Sequence, residues 1–125
     1  MIVTIDLPFP PSVNRIWRVG TNRSTGKRFV YRSKPYMKWL READAQWMAQ
    51  KPRGAFKMIE GPFKARIMLS RPDKRRRDDS NYHKVVMDFA QRVGIIKDDA
   101  NCLETRSGWV MDEEAPIGMR LKINY

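Results

Sequence analysis

Between Arg71 and Asn101 the chain reads RPDKRRRDDSNYHKVVMDFAQRVGIIKDDAN, and its reactive side chains come in a telling order. A basic run, Lys74, Arg75, Arg76 and Arg77, leads directly into the carboxylates Asp78 and Asp79. A helical stretch follows, with Lys84 and Asp88 on the face away from its apolar stripe, and a second acidic pair, Asp98 and Asp99, lies just beyond it. Phosphodiester cleavage needs what this arrangement offers. Magnesium takes oxygen ligands, usually one or two carboxylates, and leaves its other positions to water or phosphate oxygens. Such an ion activates the attacking water and stabilises charge on the leaving oxygen. A nearby lysine can hold the phosphate or position the water, and arginines grip the backbone. Acids set inside a basic surface repel a polyanion unless a cation sits between them.

Each part also has a simpler account when taken alone. Lys74 to Arg77 could be a solvated face, with Asp78 and Asp79 as loop residues pairing with Arg75 to Arg77. Lys84 and Asp88 could be an i,i+4 surface pair contributing about 0.2–0.5 kcal/mol. Asp98 and Asp99 could be turn residues. His83, beside the apolar stripe, reads as boundary packing, and Cys102 as a small core residue. The two acidic pairs share a site only if the chain folds back. A helix of about 14 residues is ~21 Å long, and Gly94 to Asp99 spans at most ~20 Å when extended. A reversal at Gly94 therefore makes a shared site feasible.

The whole chain is biased the same way as this segment. Its 125 residues carry 25 Lys and Arg against 14 Asp and Glu, a formal charge of +11. So large a charge strains a compact fold by self-repulsion and is easiest to understand in a protein that meets a polyanion. DNA meets that need, because basic side chains gain affinity by releasing its counterions. A small RNA-binding protein would explain the charge but not the spaced carboxylates. No long apolar run or lipidation signal points to a membrane, and no small-molecule substrate is expected. The one cysteine, Cys102, cannot form an intrachain disulfide or build a structural zinc site. With no signal peptide at Met1–Pro10, a reducing, cytoplasmic location is expected.

The elements that must position these residues follow from apolar period and from breakers. Val3, Ile5 and Leu7 alternate with Ile2, Thr4 and Asp6 as in a strand, stopped by Pro8, Pro10 and Pro11. A strand starting near Asn14 to Arg18, a loop from Gly20 to Gly26 and a strand from Arg28 to Arg32 come next, the last with Phe29 and Tyr31 on one face. Pro35 suits a first helical turn after Ser33. Tyr36, Leu40, Ala43 and Trp47, with Trp39 at the edge, form the stripe of a helix reaching Gln50, which Lys51 to Gly54 ends. Pro62 to Ser70 alternates as a half-buried strand. Ser80 to Val93 is a helix with Tyr82, Val85, Val86, Phe89, Ala90 and Val93 inward and Gly94 as its stop. Thr105 to Asp112 and Ile117 to Tyr125 read as strands joined by a turn. The sum is a single α+β domain over residues 1–125, built on one mixed sheet with two main helices.

Three motifs resemble the RusA family of Holliday junction resolvases: LPFPPSVNRIWR at Leu7 to Arg18, RRRDDSNYHKVVMDFA at Arg75 to Ala90 and GIIKDDANC at Gly94 to Cys102. Their order and spacing agree with the family over essentially the whole chain. The resemblance implies a RusA-like fold and a magnesium-dependent endonuclease that makes paired nicks in a four-way junction as a homodimer. It implies metal-ligand roles for Asp78 and Asp99, with Asp98 assisting, and places Lys84 on the family's catalytic lysine. Asn81 and Asp88 fall on recurrent polar positions that support the site. Lys74, Arg75, Arg76 and Arg77, with Asn14 and Arg15 of the opening motif, are expected to contact DNA. One position departs: Ser80 stands where the family pattern has the second aspartate of Asp-x-Asp. Asp79 points away from the metal if the segment is extended and reaches it only if the chain turns there. Ser80 itself suits a helix N-cap and could hold a metal-bound water. Weaker metal affinity is the expected consequence. The alternative is a non-catalytic protein that binds branched DNA, weakened at the metal site by Ser80.

Overall fold

The computed structural model describes every residue except 53 and 55. Strand β1 (Ile2–Leu7) turns Ile5 and Leu7 fully inward, as the alternation requires. The prolines that follow carry no N–H for a ladder, and the chain crosses a short 3-10 turn at Val13–Arg15 before β2 (Trp17–Thr21). Asn14 and Arg15 thus lie in a turn rather than a strand, and Gly20 and Thr21 belong to β2 rather than to the loop. β3 (Arg28–Arg32) pairs with β2 to make a separate two-stranded sheet, where one sheet was expected.

Helix α1 (Lys34–Gln50) is capped by Ser33, whose hydroxyl oxygen accepts the Tyr36 N–H at 3.2 Å and whose O–H donates to the Arg15 carbonyl at 2.7 Å. Its stripe Tyr36, Trp39, Leu40, Ala43 and Trp47 is buried. The expected stop at Lys51 to Gly54 falls partly on residue 53, outside the described residues. The second helical region is split. A 3-10 turn at Asp79–Tyr82 precedes α2 (His83–Arg92), where an unbroken helix from Ser80 was expected. The reason is the cap: Asp78, not Ser80, takes the N-cap place, and its carboxylate accepts the Ser80 N–H. Val85, Val86, Met87, Phe89 and Ala90 are buried, and Gly94 ends the region at φ +81°.

The main sheet has the order β1-β6-β4-β5, from β4 (Phe63–Leu69), β5 (Cys102–Trp109) and β6 (Met119–Asn124). β6 is antiparallel to both β1 and β4, while β5 is parallel to β4. The turn after β5 therefore does not close a hairpin, because β6 passes to the far side of β4. A parallel pair demands a crossover, and α2 supplies it. β4 ends at Leu69, the basic loop and α2 return the chain, and β5 starts again at Cys102. α1 and α2 meet where the Trp39 and Phe89 rings sit edge to face at 5.5 Å. The core row Ile5, Leu121 and Ile67 runs across three strands at no exposure, each side chain contributing roughly 1.5–3 kcal/mol. On β5 the same row ends in a hydroxyl, Ser107. Among the described residues no helix is long and apolar enough to cross a membrane.

Candidate metal and nucleic-acid site

The basic loop between β4 and α2 is fastened at both ends by aromatic rings. Phe9, Tyr82 and Trp109 form one cluster, with Phe9 edge-on to Tyr82 at 5.0 Å and stacked on Trp109 at 6.1 Å. The Arg71 guanidinium lies 4.6 Å from the Trp109 ring centre, and that of Arg77 lies 5.9 Å from Phe9. Such contacts contribute about 0.5–1 kcal/mol each where exposed. Within the loop, Asp73 ties the arginines together. It accepts from both terminal nitrogens of Arg77 and from Nε and the backbone N–H of Arg75. The Arg77 side chain, then the Arg75 N–H, hold the Asp73 carboxyl far below the usual carboxylate range.

This loop forms one wall of a groove of about 670 Å³. Phe9, Pro10, Pro11, Arg15 and Arg18 line it from the N-terminal segment, Lys38 and Glu42 from α1, and Arg75, Arg76, Arg77, Asp78 and Asn81 from the loop and 3-10 turn. Trp39 is held under it, its indole N–H donating to the Pro8 carbonyl at 2.9 Å. Lys38 is spent on Glu42, 3.9 Å away. The five arginines give the groove its positive field.

Asp78 is the exposed acid of this groove that has no ion-pair partner among the described residues; Glu42, the other, is paired with Lys38. Its Oδ1 accepts both the Ser80 N–H at 3.0 Å and the Ser80 hydroxyl at 2.9 Å. Those two bonds, the backbone one first, push its carboxyl below the ordinary value. Its Oδ2 has no hydrogen-bond partner among the described residues. Asp79 turns the other way: its Oδ2 accepts the Ser107 hydroxyl, and the same oxygen of Ser107 meets Nε2 of His83. Asp79, Ser107 and His83 therefore form a chain that pins the start of α2 to β5.

The second acidic pair is elsewhere. Asp98 caps a 3-10 turn at Asp99–Asn101, and the Asp99 N–H donates to Oε1 of Gln91 near the end of α2. The reversal at Gly94 is arrested at once, because Ile95 and Ile96 bond back to Ala90 and Ile96 bridges to Ile59. The helix from His83 to Gln91 is about 12 Å long, and the span from Cys102 to Ser107 on β5, a second measure of the same separation, is about 16 Å. One magnesium holds its ligand oxygens at about 2.0–2.1 Å. A single protomer therefore does not bring Asp78 and Asp99 onto one ion. Lys84 and Asp88 do not line the groove; they form a 3.3 Å ion pair on the outer face of α2. Asn14 and Lys74 are exposed beside the groove rather than in its lining.

Do these residues suit a divalent cation? Among the described residues no three His, Cys, Asp or Glu side chains cluster as a metal cage. The groove supplies the free Oδ2 of Asp78, while Asp79, one residue on, turns away with one oxygen engaged by Ser107. A lone carboxylate suits magnesium, which often takes one or two carboxylates and completes its shell with phosphate oxygens and water; it falls short of the three or four protein ligands that zinc sites use. Sequence reasoning missed Asp73, Arg18 and Ser107. Asp73 stands four residues before Arg77, but in a loop rather than a helix, so that spacing carries no pairing signal and only the folded loop brings the two together. Ser107 carries no signal, since only the register of β5 brings it to His83.

A family model described as Endodeoxyribonuclease RusA matches residues 8–123. No curated protein matches the chain.

Proposed function

The chain belongs to the RusA endodeoxyribonuclease family, an enzyme family, and from that premise we propose that it resolves four-way DNA junctions by magnesium-dependent paired nicking, with residues 1–125 acting as one endonuclease domain in each half of a homodimer. The observation that carries this reading is an exposed carboxylate with one free oxygen, Asp78, set among Arg15, Arg18, Arg75, Arg76 and Arg77 in one groove. The arginines seat the DNA backbone, and their charge draws the scissile phosphate towards Asp78. A divalent cation held by Asp78 would activate water and stabilise the leaving oxygen. Asp79 is kept at its angle by Ser107, so Asp78 rather than Asp79 faces the groove. Asn81 lines the groove one turn on. Cytoplasmic DNA is the substrate that a chain with a single free thiol would meet.

The homodimer gives the second acidic pair a use. Lys84, Asp88 and Gln91 follow i, i+4, i+7 spacing along the outer face of α2, from its Asp78 end to its Asp99 end. A two-fold axis crossing that face sets two α2 helices antiparallel. Asp99 and Asp98 of each protomer then approach Asp78 of the other, and Lys84 lies between them, where it can reach the phosphate.

Asp78→Asn is expected to abolish nicking of synthetic four-way junctions in magnesium while retaining junction binding. Nicking at the unaltered rate would remove Asp78 from the chemistry. A second reading is favoured by one observation: Ser80 supplies a hydroxyl where the family pattern has a carboxylate, and that hydroxyl is bound to Asp78. On it the protein binds branched DNA without cutting, and failure of the natural chain to nick junctions in magnesium or manganese would select it.

A further inference from the structure

The β2–β3 ribbon takes no part in the main sheet, and among the described residues its strands pair only with each other. Two isolated strands are marginal in water, yet this pair exposes nearly all its side chains, large rings included. Cross-strand partners share a face. Arg18 opposes Tyr31 and Gly20 opposes Phe29, so these four residues form one side of the ribbon. Gly20 has a steric role there: a Cβ on it would meet Cζ of Phe29 at 2.4 Å. The Phe29 ring is thus laid flat across the partner strand, with the Tyr31 ring 5.7 Å away and tilted by 39°. Both rings remain about half exposed, Phe29 at 50% and Tyr31 at 46%.

We propose that this face is a stacking platform for bases left unpaired at the branch point, so that the ribbon selects branched DNA over continuous duplex. The inference rests on the endonuclease reading above and adds the residues that would read structure. Charge names the occupant. From Trp17 to Arg32 the chain carries Arg18, Arg23, Lys27, Arg28 and Arg32 and no acid. Two such ribbons meeting across a two-fold axis would repel, whereas nucleic acid neutralises both. Position agrees: Arg18, on the Phe29 and Tyr31 face, also lines the groove that contains Asp78. A strand seated on the arginines would present its neighbouring bases to the rings. Intact duplex keeps its base faces stacked and offers the rings nothing, while any unpaired base has a face to give, whatever its sequence.

The test compares the natural chain with Phe29→Ala/Tyr31→Ala, with Phe29→Leu/Tyr31→Leu, which covers Gly20 without a ring, and with Phe29→Trp/Tyr31→Phe, which keeps both rings. Dissociation constants are measured without magnesium for a four-way junction carrying 2-aminopurine at the branch point and for linear duplex of equal length. Stacking of one base predicts junction binding weaker by about 5-fold to 150-fold for the Ala and Leu pairs. Duplex binding should change less than twofold, the 2-aminopurine response should vanish, and the Trp/Phe pair should restore both. Equal loss on both DNAs, or no loss on either, overturns the proposal. Loss of dimer mass in sedimentation, with the junction preference retained, overturns it in favour of a second copy covering the ribbon. Magnesium-dependent nicking by the natural chain is run alongside. If that chain prefers and nicks junctions while the Ala pair keeps the preference, only the platform falls; if it shows no junction preference, the endonuclease reading falls and takes the platform with it.

Discussion

Replacing Asp73 by Asn should make DNA binding more sensitive to salt, by an amount the groove sets in advance. Five guanidinium groups line the groove, those of Arg15, Arg18, Arg75, Arg76 and Arg77. Two of them, Arg75 and Arg77, share the single carboxylate of Asp73, leaving four positive charges uncompensated. Lys38 is left out because Glu42 pairs with it. Four phosphate contacts give a slope of log affinity on log salt of about −3.6, which is a loss of about 150-fold between 50 and 200 mM. With Asn at position 73 all five arginines are free, and the slope steepens to about −4.5, or about 500-fold over the same range. Asn keeps a side-chain oxygen for the Arg75 N–H, now accepted at 2.8 Å, so the turn survives and only the charge is lost. Acid cannot stand in for the substitution, because the Arg77 contact holds Asp73 ionised far below neutral pH. The assay is fluorescence anisotropy on a labelled junction, in the Asp78→Asn background to silence cutting and remove the groove acid that has no ion-pair partner among the described residues. A slope shallower than about −2, or one that Asp73→Asn leaves unchanged, would refute the assignment of this groove as the phosphate-binding surface.

Ser107→Ala removes the one hydroxyl shared by Asp79 and His83 and should cost about 1–3 kcal/mol in urea denaturation; an unchanged midpoint would mean that the chain of bonds is not formed. The Asp78 carboxyl should titrate below 3.8 in a carbon-detected NMR titration, since the Ser80 N–H and then its hydroxyl favour the charged form. Because the folded value lies below the unfolded one, the stability linked to it is present above the unfolded value and is lost as pH falls through the folded one. Ser80→Ala should raise the Asp78 midpoint part of the way, leaving the backbone bond in place; no movement would contradict that cause. Gly118→Ala should destabilise the fold by about 1–3 kcal/mol from backbone strain alone. At φ +89° its new Cβ would also stand 2.5 Å from the Leu7 carbonyl oxygen, and thermal denaturation at the natural midpoint would show that β1 and the start of β6 are not so closely apposed.

Period and chemistry together carry far in this chain. Alternation in Ile2–Leu7 and Phe63–Leu69 and the stripe from Tyr36 to Trp47 predict elements that the structure contains, because burial on one face imposes a period of two on a strand and 3.6 on a helix. Ser33 and Pro35 mark the start of α1 for a local reason, a side-chain cap and a preset φ. Local competition decides where the pattern fails. Asp78 and Ser80 both suit an N-cap, and the ionised one captured the turn two residues early. β6 looks like the partner of β5 along the chain, yet its apolar face is satisfied between β1 and β4.

By itself the order of residues determined that this is a small basic protein of the RusA family, with Asp78 beside its arginines, because those features are covalent neighbours or one helical turn apart. Only tertiary structure decided which distant groups meet. The right of Ser107 to bond His83, the distance between Asp78 and Asp99, and the reach of Arg18 into the same groove as Arg76 all depend on how α2 crosses from β4 to β5. A crossover helix lies antiparallel to the strands it joins, so residues that flank it in sequence are driven to its opposite ends in space.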